Sequence, residues 1–203
     1  YDRYGLSEYY PLFDEYYRVY SEKNTELWSL YHHNRISKET LIVERFRYPL
    51  QRVGAYNDKL VLQLNADYLS VLSEQGELVP QARELLDYLK SRSYRLHIIS
   101  NGFKEVQFKK MKSAGIENYF EKIILSDEVG VNKPHPDIFR YALNKTGSSK
   151  NTSLMIGDNY DADILGAMRS GLDQVYFNPL QKQIPDEFPT YEVQTLSEIQ
   201  DIL

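Results

Sequence analysis

The chain has 203 residues, a formal net charge of −5, no cysteine and 42% hydrophobic residues, enough to bury a sizeable core as one domain or as one domain with an insertion. An acidic balance without a long block of like charge argues against a nucleic-acid surface, and the lack of cysteine excludes disulfides, zinc–thiolate sites and a cysteine nucleophile. No apolar run approaches the ~20 residues of a membrane span and no signal-peptide pattern opens the chain, so a cytoplasmic enzyme is expected, with neither a membrane nor a nucleic-acid polymer as its partner.

Up to about Gly76, apolar residues recur at helical spacing without a convincing strand: Phe13, Tyr16, Tyr17 and Tyr20, then Leu27, Leu30 and Tyr31, then Leu41, Phe46 and Leu50. Ser37 and Asn57 read as N-caps of segments that reach about Arg52 and Ser73. Residues 1–76 therefore read as a small helical bundle. Its many tyrosines read as amphipathic packing with wet hydroxyl ends rather than as a pocket lining. Arg45, Arg47 and Arg52 are candidates for substrate contact, against the more usual solvated helical arginine.

After Gly76 helix and strand alternate. Pro80 is placed as a first helical residue, followed by one apolar face of Ala82, Leu85, Leu86 and Leu89. A strand follows at 96–100, then a helix from about Phe103 ended by Gly115, then the short apolar run 123–125. Pro136 opens another helix, carrying Ile138, Phe139, Ala142 and Leu143, which Gly147 closes before the strand 154–156. A helix over about 162–170, stopped by Gly171, and a strand at 175–177 complete the pattern. Short apolar strands separated by helices predict a doubly wound parallel sheet in residues 77–203, an α/β fold. Ligands gather at the carboxyl ends of the strands in such sheets, so the strand ends carry the functional information.

Three strand ends bear polar chemistry. The sequence IISNG, residues 98–102, sets a hydroxyl and an amide before a glycine at a helix start; the Ser100 hydroxyl and free backbone N–H groups would make a phosphate cradle, or Ser100 and Asn101 would merely cap the helix. In VNKPHPDIF, residues 131–139, Pro134 and Pro136 stiffen a loop that holds Lys133 ahead of a helix. A fixed lysine can neutralise a phosphoryl group, whereas a solvated loop lysine is the default. His135 reads as a linker, and His32, His33 and His97 make no metal set. Finally, GDNYDAD, residues 157–163, clusters three carboxylates behind a buried strand. Crowded carboxylates repel and call for a cation or a lysine, and Mg²⁺ commonly reaches a protein through one or two of them. An acidic loop capping the next helix would have the same composition.

Serine after one strand, lysine after an intervening one and then an acidic loop is an order that resembles the haloacid dehalogenase superfamily of hydrolases. IISNG resembles its motif II, Lys133 its motif III and GDNYDAD its motif IV, and the helical first half resembles its small α-helical cap. The resemblance implies a Rossmann-like core over 77–203 with a cap over 1–76. It implies that Ser100 and the backbone N–H groups of Asn101 and Gly102 bind a phosphoryl oxygen and that Lys133 steadies the nucleophile and the transferring group. Asp158 would be the Mg²⁺ ligand, and Asp163 would organise Lys133 or the metal's waters. Asp161 is left as a helix cap. The arrangement is similar to the branch that contains pyrimidine 5′-nucleotidases, which makes a small phosphorylated metabolite the expected partner.

One departure matters. The family's motif I, DxDx(T/V), supplies the aspartate nucleophile, and no such pattern occurs in these residues; Asp58 and Asp67 lie in helical segments. In the family that motif ends a central strand ahead of the cap, and removing a central strand would leave backbone groups unpaired on both neighbours. With Tyr1 in place of an initiator methionine, the expectation is that the first core strand lies upstream of residue 1 and that residues 1–203 alone are inactive. The expected reaction of the intact protein is Mg²⁺-dependent hydrolysis of a phosphate monoester through an aspartyl-phosphate. The alternatives are a metal-free 2-haloacid dehalogenase, disfavoured because the resemblance gives that enzyme a serine-rich segment where Gly157 and Asp158 stand, and a non-catalytic protein that binds phosphate ligands.

Overall fold

The computed structural model describes residues 1–184 and 187–203. These fall into two compact units, Tyr1–Leu72 and Ser73–Leu203. The first is built from α1 (Phe13–His32), α2 (Lys38–Arg52) and α3 (Asp58–Glu74), preceded by two 3₁₀ turns, Asp2–Tyr4 and Leu6–Glu8. Ser37 caps α2, its Oγ accepting from the Thr40 N–H at 3.2 Å. The core gathers Leu6, Tyr10, Tyr16, Val19, Tyr20, Phe46, Leu50, Val61 and Leu64. The tyrosines pack ring on ring: Tyr16 stacks on Tyr20 at 6.2 Å and Tyr20 on Phe46 at 5.3 Å. Tyr10 donates to the Pro49 carbonyl at 2.7 Å and Tyr4 to Asp67 at 2.9 Å, whereas the buried Tyr20 hydroxyl has no hydrogen-bond partner. Burial pushes the Tyr16 hydroxyl up to about 12.

Arg45 departs from the expectation of a solvated helical arginine. It is 1% exposed, with its guanidinium 4.6 Å from the Tyr68 ring and 5.2 Å from the Phe46 ring. Its Nη2 donates to Asn65 Oδ1, while Nε has no hydrogen-bond partner. Arg47 is the ordinary case, half-buried and paired with Glu44 at 2.7 Å. A guanidinium held by one amide and two rings is desolvated without a compensating carboxylate, and apolar replacements of buried charges of similar volume are often neutral or stabilising by about 1–4 kcal/mol. Arg45→Met is therefore expected to leave the melting temperature unchanged or raised, and Arg45→Ala, which also opens a cavity, to lower it. Thermal unfolding of the two variants checks this; a large loss in Arg45→Met would mean that the cation–π contacts outweigh the desolvation.

The second unit alternates helix and strand. In chain order it contains α4 (Ala82–Ser91), β1 (His97–Ser100), α5 (Lys104–Ser113), β2 (Lys122–Leu125), α6 (Ser126–Val129), α7 (Pro136–Thr146) and β3 (Leu154–Gly157). A π-helical turn, Tyr160–Leu165, then leads into α8 (Gly166–Arg169), β4 (Asp173–Phe177), β5 (Tyr191–Val193) and a closing 3₁₀ turn, Leu196–Asp201. Every strand pair is parallel: β1 with β2, His97 opposite Lys122 and Ser100 opposite Leu125, and separately β3 with β4 and β4 with β5. Successive strand residues serve opposite faces. Leu154 and Ile156 join Leu85, Leu89, Val175, Val193 and Ile199 in one apolar cluster. Met155 and Ile99 join Ile124, Ile138, Phe139, Ala142 and Ala167 in another. The fold is α/β with parallel sheets.

Two helix starts differ from the sequence expectation. Pro80 does not begin a helix; Gln81, at φ 67°, turns the chain through the left-handed region and α4 starts at Ala82. The helix expected over 162–170 begins at Tyr160 as a wider turn, because Asn159 Oδ1 accepts from the Ala162 N–H at 2.9 Å and the Asp163 carboxylate accepts from the Asn159 N–H at 3.1 Å. By contrast Pro136 opens α7 and Gly147, at φ 64°, closes it, as their backbone preferences require. Among the described residues no helix is long and apolar enough to cross a membrane.

Candidate active site

The carboxyl ends of β1 and β3 meet at a buried ion pair. Lys133, in the loop ahead of α7, is 8% exposed and Asp163, in the turn after β3, is 5% exposed; Lys133 Nζ lies 2.6 Å from Asp163 Oδ1. Nζ also donates to the Ile99 carbonyl at 2.7 Å, which fastens the lysine to β1. Asn101 locks the loop backbone from the other side: its Nδ2 donates to the Lys133 carbonyl and its Oδ1 accepts from the Lys133 N–H, both at 2.8 Å. Buried charges persist where they are paired and hydrogen-bonded, and here both partners are. The lysine is thus the fixed cation of the sequence reading and not the solvated loop residue.

Gly157 makes this geometry possible. A Cβ on that residue would stand 2.5 Å from Asp163 Cβ and 2.6 Å from its Cγ, so the carboxylate lies directly against the bare backbone.

Ser100 ends β1 with a constrained hydroxyl. Its Oγ accepts from the Gly102 N–H at 3.0 Å and from Gln107 Nε2 at 2.8 Å. With both acceptor positions occupied, the hydroxyl proton is left to donate, the polarity an anion needs. The Gly102 N–H is accordingly turned onto Ser100, and α5 begins only at Lys104. Asn101 acts through its side chain on Lys133. Gln107 and the Ile99 carbonyl were not singled out from sequence: a glutamine one turn into a helix and a main-chain oxygen carry no pattern.

Asp158, the first residue after β3, is exposed and has no ion pair among the described residues. It lines one cavity with Ser100, Lys133 and Asp163. Asp161 is half-buried in the π-helical turn, where Asn159 and not Asp161 supplies the cap. Among the described residues no group of three or more His, Asp or Glu side chains is placed to hold a metal. Asp163 is committed to Lys133, which leaves Asp158 as the carboxylate open to a cation. That donor set fits Mg²⁺, which keeps several waters and takes one or two carboxylates with a ligand phosphate, rather than a cation that needs an all-protein cage.

A family model of haloacid dehalogenase-like hydrolases matches residues 13–177. The chain belongs to that family. Among sequence relatives of this haloacid dehalogenase-like hydrolase, the pyrimidine 5′-nucleotidase YjjG of Escherichia coli is 31% identical over 189 residues, spanning 92% of this chain and 82% of the relative. The pyrimidine 5′-nucleotidase PynA of Streptococcus pneumoniae is 31% identical over 187 residues, 91% of this chain and 78% of the relative. Among solved structures, the HAD-hydrolase YfnB of Bacillus subtilis, described as bound to magnesium, superposes with a TM-score of 0.87 at 30% identity, covering 95% of this chain and 83% of its own. The family membership makes the protein a hydrolase with a helical, parallel-stranded α/β architecture.

Proposed function

We propose that the protein is a Mg²⁺-dependent phosphatase acting on a small phosphate monoester, with a nucleoside 5′-monophosphate as the leading substrate, through an aspartyl-phosphate whose aspartate lies outside residues 1–203. The observation that carries this reading is the buried Lys133–Asp163 pair sharing a cavity with the Ser100 hydroxyl and the open Asp158 carboxylate. The nucleotidase relatives support the substrate class and the family's YfnB structure supports the metal. On this reading residues 1–76 are the cap that selects the leaving group and 77–203 the core.

The residues divide the work by polarity. Lys133 offers a fixed positive charge, which Asp163 orients and Asn101 holds in place through the loop backbone. Ser100 donates its hydroxyl proton to a phosphoryl oxygen, with Gly102 and Gln107 setting its orientation. Mg²⁺ held by Asp158 and water would, when bound, neutralise charge on the phosphoryl group. A carboxylate attacking phosphorus expels the alcohol and leaves an acyl phosphate, which water then cleaves.

The test is phosphate release by the full-length protein from a panel of nucleoside monophosphates and sugar phosphates. Activity is expected with Mg²⁺ and none after EDTA. Equal rates across the panel would discard a dedicated nucleotidase, and metal-free halide release from a chloroacid would replace the phosphatase with a dehalogenase. Asp158→Asn is expected to raise the Mg²⁺ concentration for half-maximal rate by at least about tenfold, since even outer partners of metal ligands carry that much affinity. An unchanged Mg²⁺ titration would remove Asp158 from the metal site.

A further inference from the structure

Gly166, the first residue of α8, is buried and has an ordinary helical backbone, φ −61° and ψ −46°. No turn and no positive φ calls for glycine there, and glycine is a poorer helix former than alanine because it loses more backbone freedom on folding. Space is what excludes a side chain. A Cβ on Gly166 would stand 2.9 Å from the Pro134 Cα, 2.8 Å from Phe139 Cε2 and 2.9 Å from Phe139 Cζ, all well inside carbon–carbon contact distance. The Phe139 atoms are the tip of a ring, although one held at 1% exposure. The Pro134 Cα is main chain and cannot turn aside.

Pro134 follows Lys133 directly, so the lysine loop is seated on bare backbone of α8. Two contacts then join the same two segments. Lys133 meets Asp163 in the ion pair at 2.6 Å, and Pro134 meets Gly166, three residues beyond Asp163. The π-helical turn Tyr160–Leu165 carries Asp163 and runs straight into Gly166; π-helical turns are rare and occur frequently at functional sites. Asn101 bonds both the N–H and the carbonyl of Lys133. The lysine backbone is thus held by a side chain that bonds it and by a glycine that lets its neighbour approach.

We propose that Gly166 is a positioning residue for Lys133: by seating Pro134 against α8 it fixes where the Lys133 ammonium stands relative to Asp163 and Ser100. It touches no substrate and acts only through the loop. A methyl group at this position presses on the Pro134 main chain, the loop moves off α8, and the bonds between the Lys133 backbone and Asn101 are stretched with it. A close-packed interior transmits such a shift because it has no slack to absorb it. The effect on the lysine stands on the packing; the effect on turnover rests on the phosphatase reading above.

The experiment compares the full-length wild type with Gly166→Ala, Phe139→Leu and the double variant. Leucine at 139 removes the ring tip, so the double variant leaves the pressure on Pro134 alone. Thermal unfolding, amide hydrogen exchange by NMR and Mg²⁺-dependent release of p-nitrophenol from its phosphate ester are measured on each. Gly166→Ala is expected to melt lower than wild type, and the double variant no lower than Phe139→Leu, because the methyl fills space that the ring has left. In both alanine-bearing variants the Lys133 amide, which donates to Asn101 Oδ1, is expected to exchange at least about fivefold faster, the worth of one modest hydrogen bond. In the double variant the Val175 amide, in β4 between β3 and β5, should exchange as it does in Phe139→Leu. In both, kcat is expected to fall about 10²-fold with KM little changed, the cost of displacing an aimed group by near 1 Å, while Phe139→Leu alone keeps wild-type kcat. Unchanged exchange at Lys133 in the double variant would confine Gly166 to making room for the Phe139 ring and overturn the proposal. Faster exchange with wild-type kcat, or equal acceleration at Val175, would overturn it as well. A wild type that releases no p-nitrophenol while Lys133 exchange still rises in the double variant would discard the phosphatase reading and keep the positioning of the lysine.

Discussion

Lys133→Met in the full-length enzyme is expected to lose about 10²–10³-fold in kcat, the scale of removing one aimed electrostatic stabiliser, and to lose stability at the same time. The second loss follows from Asp163. With Nζ gone, a 5% exposed carboxylate keeps only the Asn159 N–H, and breaking a buried pair from one side typically costs about 3–5 kcal/mol. The double variant Lys133→Met with Asp163→Leu removes both charges, and buried pairs replaced by apolar groups are often neutral or better. Denaturant unfolding should therefore show the single variant weakened and the double variant largely restored, while phosphate release stays low in both. Restored activity in the double variant would make the pair structural and remove Lys133 from the chemistry.

That pair also shows how far the sequence carried the argument. The alternation of helix and strand was legible because it rests on local rules: Pro136 and Gly147 bound α7, and the apolar runs 123–125 and 154–156 lie within β2 and β3. Lys133 and Asp163, 30 residues apart by number, were joined only by what the family resemblance implies; parallel topology, which brings strand carboxyl ends to one side, is what lets them meet. What was not legible depends on contacts between distant residues. Arg45 stands four residues after Leu41 and four before Pro49, on the buried face of α2, but its charge argued for solvent, and it is Tyr68 and Asn65 of α3 that receive it. β5, Tyr191–Val193, has a glutamate at its centre and takes its place from pairing with β4 rather than from any apolar pattern. Pro80 carries a strong helix-start signal, yet the turn at Gln81 displaces the start because the positive φ there cannot belong to a helix.

Gly157→Ala separates the placement of Asp163 from its charge. The added methyl would fall 2.5 Å from Asp163 Cβ and 2.6 Å from Cγ, so the carboxylate must retreat from the backbone that now presses on it. Overpacking of this kind costs about 1–3 kcal/mol, and a displacement near 1 Å in a positioned group costs about 10²-fold in rate. The expected result is a folded protein of lowered melting temperature with kcat reduced by about that factor and KM little changed, since the substrate-binding hydroxyl of Ser100 lies on the other strand. Gly102→Ala supplies the comparison: the atoms nearest its new methyl all belong to the Gln107 side chain, a flexible group that can swing aside. It should keep most of its stability and lose activity through the Ser100 hydroxyl, which then lacks the Gln107 donor. If Gly157→Ala instead matched Gly102→Ala in melting temperature and kept wild-type kcat, Asp163 would have freedom to move without consequence, and Lys133 would need no orienting partner for its role.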